Sequence, residues 1–296
     1  MKSPDKVSLS VATQVEQSHA NSIGAILVTA GKLTSAQVEQ VLRSQKDSGL
    51  LFGDEAVRLG FIRPSDVEQA LARQFEYPYL AAGHSKIHPD VIAAYNPFSP
   101  DIEVFRSTRT QLLLRWFDKQ PEHGALAVIS LSRGDGRSYV AANLAVVFSQ
   151  LGARTLLIDG DMRNPRQHVL FGVSNATGLS SVLAGRAGIE AIVKVRDLID
   201  LSLLPAGPTP PNPGDLVARI PFSAQMEQAI KAYDVVIVDT PAMNLGNDAQ
   251  SIAHRARGAL IVARKNETRL DAMQTTTADF RTVGVEVVGA LLNDPR

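Results

Sequence analysis

The chain has 296 residues, 30 Lys and Arg against 30 Asp and Glu, a formal net charge of zero, 45% hydrophobic and 20% charged residues, and no cysteine. Balanced charge excludes a protein drawn onto nucleic acid by a basic excess; the missing cysteine excludes a disulfide framework, a Cys-ligated zinc and a thiol nucleophile. No apolar run approaches the ~20 residues of a membrane helix, and the opening MKSPDKVSLSVATQVEQ lacks the apolar core of a secretory leader, so a cytoplasmic protein is expected.

Residues 1–20 read as a flexible N-terminus. Residues 22–45 (SIGAILVTAGKLTSAQVEQVLRSQ) and 51–74 (LFGDEAVRLGFIRPSDVEQALARQ) then repeat one pattern at an offset of 29 residues. Gly24 matches Gly53, Gly31 matches Gly60, Leu33 matches Ile62, and Val38-Glu39-Gln40 matches Val67-Glu68-Gln69. In each copy a short helix ends at a glycine able to take the left-handed conformation. Thr34, or the Arg63-Pro64-Ser65 turn, then starts a second amphipathic helix. An all-helical domain of two helix-turn-helix units is predicted over 21–80. Pro78, Pro89, Pro97 and Pro100 follow at a spacing that long helices cannot cross, which predicts a Pro-rich linker over 81–100.

From residue 101 the grammar changes. A helix is predicted over 103–116, with Trp116 as a packing residue, and a strand over 125–131. Further apolar runs at 155–158, 201–204, 235–238, 259–262 and 285–292 alternate with helical segments at 138–151, 222–232 and 270–283. Short buried strands alternating with helices predict an α/β domain over 101–296, with a P-loop parallel sheet carrying helices on both faces.

The first strand runs into Ser132-Arg133-Gly134-Asp135-Gly136-Arg137-Ser138-Tyr139 and then a helix. Glycines that free backbone N–H groups, placed before a helix N-terminus, make a cradle for nucleotide phosphates. A bare glycine turn would share the residues but not the flanking strand and helix. Ser138 stands where a hydroxyl ligates Mg²⁺, and Arg137 where a cation reaches the terminal phosphates. Arg for the usual Lys is a wider, planar group, so nucleotide binding is expected to tolerate it better than fast phosphoryl transfer. Two more strands end in acids: Asp159-Gly160-Asp161-Met162-Arg163 and Asp239-Thr240-Pro241. One such Asp alone would be read as a turn cap. Several at neighbouring strand ends converge on one crevice, where they can hold hydrated Mg²⁺ or take a proton. No Rossmann spacing is present, since Tyr139 stands where its third glycine would be, and the six histidines are scattered.

These pieces closely resemble the bacterial tyrosine kinases (BY-kinases) of polysaccharide synthesis and export, over residues 101–293. The loop at 134–138 resembles their Walker A motif, 156–163 their Walker A′, and 235–241 their Walker B. Pro210-Pro211-Asn212-Pro213-Gly214-Asp215-Leu216 is similar to their PPNPxEL segment, and Asp248-Ala249 to a pair that opens a following helix. Glu103, Arg106 and Arg109 reproduce an ExxRxxR helix, which in the family packs between subunits of a ring. The likeness is strongest to the EpsG type, which shares the Gly-x-Gly-Arg-Ser-Tyr loop and an extra N-terminal helical domain. The resemblance implies an ATP-binding protein-tyrosine kinase of exopolysaccharide biosynthesis. It would work as a homo-oligomer with the cytoplasmic segment of a membrane chain-length determinant, and so sit peripherally at the inner membrane. It further implies that residues 132–139 hold ATP with Asn293 near the adenine, and that Ser138, Asp161 and Asp239 hold Mg²⁺. Arg137 would neutralise developing charge, and Asp159 would orient or deprotonate the tyrosine hydroxyl.

The family often ends in a tyrosine cluster. The tyrosines here are Tyr77, Tyr79, Tyr95, Tyr139 and Tyr233, so autophosphorylation on a C-terminal cluster is not expected. An ATP-dependent scaffold that phosphorylates little is therefore the alternative. A ParA/MinD-like ATPase ranks last, because Ser132 occupies the position of its signature Lys. Residues 22–74 resemble the N-terminal domain of secretion and pilus ATPases such as MshE, whose paired motifs can bind cyclic di-GMP. The leading Arg of each motif is Ser22 in one copy and Leu51 in the other, which places protein docking ahead of the dinucleotide.

Overall fold

The computed structural model describes residues 22–74, 80, 85–96, 98–119 and 124–294; the expected N-terminal segment 1–20 lies outside them. The chain divides into two units, one ending at Pro78 and the other beginning at Tyr79.

In the first unit the described residues form α1 (Ile23–Thr29), α2 (Ser35–Ser48), α3 (Phe52–Arg58) and α4 (Pro64–Gln74). The Ser22 hydroxyl caps α1, and Thr34 and Gln37 form a reciprocal capping box at α2. Gly31, Gly49 and Gly60, at φ +66°, +70° and +73°, let the chain turn out of successive helices. The core consists of Leu27, Leu33 and Val41 with Ala56, Ile62 and Ala70, three pairs related by the repeat offset. Glu55 is buried at its edge, where it accepts from Arg58 Nη2 at 2.5 Å and from the Ser48 hydroxyl at 2.9 Å.

The second unit begins with α5 (Ile92–Tyr95) and α6 (Pro100–Leu112), the latter continuing as a π-helical turn, Leu113–Phe117. It proceeds through β1 (Ala125–Ile129), α7 (Arg137–Ser149), β2 (Thr155–Asp159), α8 (Gln167–Leu170), α9 (Leu179–Leu183), β3 (Val193–Lys194) and β4 (Leu201–Leu204). It ends with α10 (Pro213–Ala218), α11 (Ile220–Ala232), β5 (Val235–Asp239), α12 (Asp248–Ala256), β6 (Gly258–Arg264), α13 (Leu270–Thr282) and β7 (Glu286–Asn293).

Among the described residues the sheet has seven strands in the order β3-β4-β2-β5-β1-β6-β7. Every pairing is parallel except β3 with β4. Alternate residues of each central strand feed opposite cores. Leu126 and Val128 pack with α5, α6 and α7; Ala125, Ala127 and Ile129 pack with the helices of the other face. That explains the continuous apolar runs and confirms an α/β sheet covered on both sides. Trp116 is 1% exposed and donates its indole N–H to the Ala125 carbonyl at 2.8 Å, under a Gly258 whose Cβ would strike the ring.

Three expectations are corrected. First, the stretch read from its prolines as linker is part of this unit over 85–96: Ile87, Val91, Ala93 and Ala94 are buried in the core beneath α7. Prolines forbid long helices there but not packing, and Asn143 of α7 and Gln150 at its C-terminal cap satisfy the irregular backbone. The Asn143 side chain accepts from Ala93 N at 2.9 Å and donates to Asp90 O at 3.0 Å, while Gln150 Nε2 donates to Ala93 O at 2.8 Å. Second, β1 stops at Ile129, because Ser130 and Leu131 already belong to the loop. Third, the sheet expected to be parallel carries a short antiparallel edge strand, β3, which like the helix α10 has no periodic signal long enough to be read.

Candidate nucleotide site

The loop between β1 and α7 is held in shape before any ligand arrives. Gly134 and Gly136 have φ of +90° and +98°, in the region that favours glycine. A Cβ on Gly136 would overlap the side-chain amide of Asn293, at the end of β7. That amide donates to the Asp135 carbonyl at 2.9 Å, and the Asp135 carboxylate accepts from Ser132 N, also at 2.9 Å. The loop delivers the chain into α7, whose first-turn N–H groups lack intrahelical partners and favour an anion.

Arg137 is 7% exposed. Its Nε donates to Thr240 O at 2.7 Å; its Nη1 donates to the Ser130 hydroxyl at 2.5 Å and to Ser132 O at 3.1 Å. Its Nη2 faces Asp161 at 3.8 Å. Most of this guanidinium is therefore committed to joining the ends of β1 and β5. That differs from the expected group extended toward phosphates, and it follows from the five donors of Arg, which a Lys lacks.

Asp159 and Asp239 are register partners on β2 and β5, and both are fully buried. Asp159 accepts from the backbone N–H groups of Arg166 at 3.0 Å, Gln167 at 2.9 Å and Asp161 at 3.3 Å. Burial, then repulsion from Asp239, holds its carboxyl well above the ordinary range against those N–H bonds. Burial also drives the Asp239 carboxyl up to about 6, against the pull of Arg137, Ser138 and Gln167. Asp239 Oδ2 accepts from Gln167 Nε2 at 2.8 Å, whereas Oδ1 is buried and makes no hydrogen bond of ordinary geometry among the described residues, the Ser138 hydroxyl lying close enough to draw on the carboxylate. A paired buried carboxylate with one lone oxygen, beside the Ser138 hydroxyl, is an oxygen-donor set of the kind Mg²⁺ takes.

A cleft of about 730 Å³ opens over this arrangement, lined in part by Arg133, Gly134, Gly136, Arg137, Ser138, Tyr139 and Asp161. A second hollow of about 700 Å³ shares Gly134, Gly136 and Tyr139 and adds Phe105 and Asn293. Ser132 and Asp135 brace the loop without lining either space, and Asp159 and Asp239 lie behind the cleft wall. Asp159, expected to meet a tyrosine hydroxyl, is thus screened from the cleft by the turn it caps, while Asp161 lines it. Glu103, Arg106 and Arg109 lie elsewhere, on α6. Arg106 pairs with Glu103 at 3.4 Å, and Arg109 turns inward to donate to the Val147 carbonyl at 2.7 Å, so the three do not form one uniform outward stripe.

The sequence reading missed Ser130 and Thr240, which anchor Arg137, and Gln167. It also missed the two-point ion pair of Arg163 with Asp248, at 2.8 and 3.3 Å. Gly214 sits against that pair, since a Cβ there would lie 2.7 Å from Asp248 Oδ1. This explains a glycine inside the Pro-Pro-Asn-Pro segment, a signal that spacing alone could not give.

No protein-family model matches the chain. Against curated proteins it is 34% identical over 209 residues to the tyrosine-protein kinase YwqD of Bacillus subtilis, a match covering 71% of this chain and 87% of YwqD. The chain belongs to the bacterial tyrosine-protein kinase family. A second family relative, the tyrosine-protein kinase Wzc of Salmonella typhimurium, is 36% identical over 203 residues; the chain spans 69% of its own length there but only 28% of Wzc. Among solved family structures, the kinase domain of the Escherichia coli tyrosine kinase ETK aligns with a TM-score of 0.65 at 31% identity, covering 69% of this chain and 79% of that domain.

Proposed function

We propose that the α/β unit is an ATP-dependent protein-tyrosine kinase of exopolysaccharide production. The observation that carries this reading is the meeting of a preformed glycine loop, the cleft-lining Asp161 and the buried Asp159–Asp239 pair at the ends of adjacent parallel strands. Residues 132–139 hold the ATP phosphates through loop and helix N–H groups, with Asn293 toward the base. Ser138, Asp161 and Asp239 hold Mg²⁺, whose charge neutralises phosphate oxygens when it is bound. Phosphoryl transfer passes through a loose transition state, so positioning and electrostatics supply most of the acceleration. Asp161 meets the incoming tyrosine hydroxyl at the cleft wall and takes its proton, while the buried Asp159 accepts from the Asp161 N–H and holds the turn that presents it. Arg137 fixes the loop and turns Nη2 toward the cleft.

We further propose a cytoplasmic enzyme bound at the inner membrane through a chain-length determinant, whose cytoplasmic segment activates it; no described helix is long and apolar enough to cross a membrane. Glu103 and Arg106 on α6 support self-assembly. The helical unit is read as a protein-docking module rather than a cyclic di-GMP receptor. At the positions where that ligand needs arginines, Ser22 caps a helix and Leu51 is a 75% exposed apolar side chain.

One observation favours a second reading, a nucleotide-dependent scaffold: Arg137 directs most of its donors to the protein itself. One experiment separates the two. Labelled ATP is titrated with and without Mg²⁺, and the same samples, with the partner's cytoplasmic segment added, are probed for phosphotyrosine. Saturable Mg-dependent binding with phosphotyrosine supports the kinase, binding alone supports the scaffold, and no binding removes both.

A further inference from the structure

The geometry points to Gln167 as a positioning residue that orients Asp239 for the hydrated metal of the nucleotide site. The inference rests on the proposed Mg-nucleotide reading of that site. Gln167 opens α8, immediately after the turn that covers Asp159, and it is fully buried. Its backbone N–H donates to Asp159 Oδ2 at 2.9 Å. Its Nε2 donates twice, to the Ser138 carbonyl at 3.0 Å and to Asp239 Oδ2 at 2.8 Å. One residue therefore touches all three parts of the site: the start of α7 and the ends of β2 and β5.

The two Nε2 bonds also settle which way the amide faces. Both partners are oxygen acceptors, so exchanging the amide O and N would set Oε1 against two oxygens. That leaves Oε1 pointing away from them, buried and without a donor among the described residues. Asp239 Oδ1, on the carboxylate that Gln167 grips, is also buried and makes no hydrogen bond of ordinary geometry among the described residues. A buried acceptor without a donor is unfavourable, and a glutamine serving only as internal glue would ordinarily have its oxygen matched. An unmatched oxygen on the carboxylate that Gln167 grips, behind a phosphate-binding loop, fits a site completed by donors that arrive with the ligand. Waters held by Mg²⁺ are such donors, since this ion sheds its hydration reluctantly. Gln167 would then fix the Asp239 carboxylate through Oδ2 and leave Oδ1 available to the hydrated ion. Groups that orient metal-binding carboxylates in this way typically change metal affinity by about 10–100-fold when removed.

The test uses the full chain and two variants, Gln167→Leu and Gln167→Met. Both keep the backbone N–H to Asp159 and roughly the side-chain volume while removing the amide; Met provides a second chance of a folded protein if Leu packs poorly. ATP affinity is measured in saturating Mg²⁺ and in EDTA, with thermal melts of the nucleotide-free proteins alongside. The expected result is a loss of about 10–100-fold in the ratio of the two affinities, with the EDTA value within about 2-fold of the parent. An unchanged ratio in a folded variant overturns the inference, as does a parallel drop of both affinities together with melting temperature, which is the signature of glue alone. A parent chain that binds ATP with no Mg²⁺ enhancement also overturns it. Failure of the parent to bind ATP at all removes the nucleotide reading itself, so the two failures are distinguishable.

Discussion

Two carboxylates two residues apart have opposite environments, and the consequences for catalysis can be separated. Asp159 is fully buried, with three backbone N–H donors and a raised proton affinity; Asp161 lines the cleft and faces Arg137. If Asp161 takes the hydroxyl proton and Asp159 holds the turn that presents it, Asp159→Asn sets an amide NH2 against at least one of that turn's backbone N–H groups and lowers phosphotransfer by 100-fold or more, within the ~10²–10⁴-fold range of general-base contributions, while ATP binding persists. Asp161→Asn, by contrast, weakens Mg-ATP and transfer together. Steady-state phosphotyrosine formation alongside ATP titration checks both; full transfer by Asp159→Asn would falsify the division of labour. The type and spacing of these acids were legible in the sequence because strand ends are easy to locate. Their depth was not, because it depends on the 160–166 turn folding over Asp159, which no local pattern encodes.

Helices α1 to α4 show how much a repeat discloses. Matching Gly24 with Gly53 places two glycines at equivalent points of α1 and α3, and an alignment treats them alike. The structure does not. A Cβ on Gly53 would lie 2.5 Å from Val67 Cγ1, whereas one on Gly24 would lie 3.3 Å from the tip of the Phe52 ring. Helix propensity alone favours alanine over glycine by about 1 kcal/mol at either place. At Gly24 the ring edge can yield, so Gly24→Ala is expected to be neutral or mildly stabilising. At Gly53 the neighbour is a β-branched side chain with little rotamer freedom, and overpacking typically costs about 1–3 kcal/mol. Gly53→Ala should therefore lower the melting temperature of the helical unit, and Gly53→Ala with Val67→Ala should recover part of the loss. Equal melting shifts for the two single variants would show that the contact relaxes freely. The same contrast holds in the α/β unit. The long apolar periods of α7 and the central strands were readable, whereas β3 and α10 are too short to carry a period and exist because tertiary neighbours fix them.

Acid should act in opposite directions through one buried carboxyl of each unit, Glu55 and Asp239. In the helical unit the Glu55 carboxyl is held down at about 2 against an ordinary 4.5, first by its hydrogen bond from Arg58 and then by Ser44. A depressed carboxyl contributes stability that is complete above 4.5 and fades as pH falls from there toward 2. In the α/β unit the Asp239 carboxyl is raised to about 6 from 3.8 by burial. A raised carboxyl does the reverse: the folded state holds a proton that the unfolded chain releases, so stability falls as pH rises between 3.8 and 6 and the penalty is complete above that. Each unit has its own core, which permits separate melting transitions, and removal of residues 1–78 identifies which transition belongs to which. Other ionisable groups titrate over the same range, so the informative quantities are differences between the parent and single variants. The advantage of the parent over Glu55→Gln in the first transition should be present at pH 7 and shrink below pH 4.5. The advantage of Asp239→Asn over the parent in the second transition should be largest at pH 7 and vanish as pH falls toward 4. Adding Mg²⁺ and ATP at pH 7 should reverse the second difference, because a ligand that needs the ionised carboxylate stabilises only the parent. A pH-independent difference at Asp239, with Mg²⁺ and ATP leaving it unchanged, would separate this carboxylate from the metal site and return it to a purely structural role.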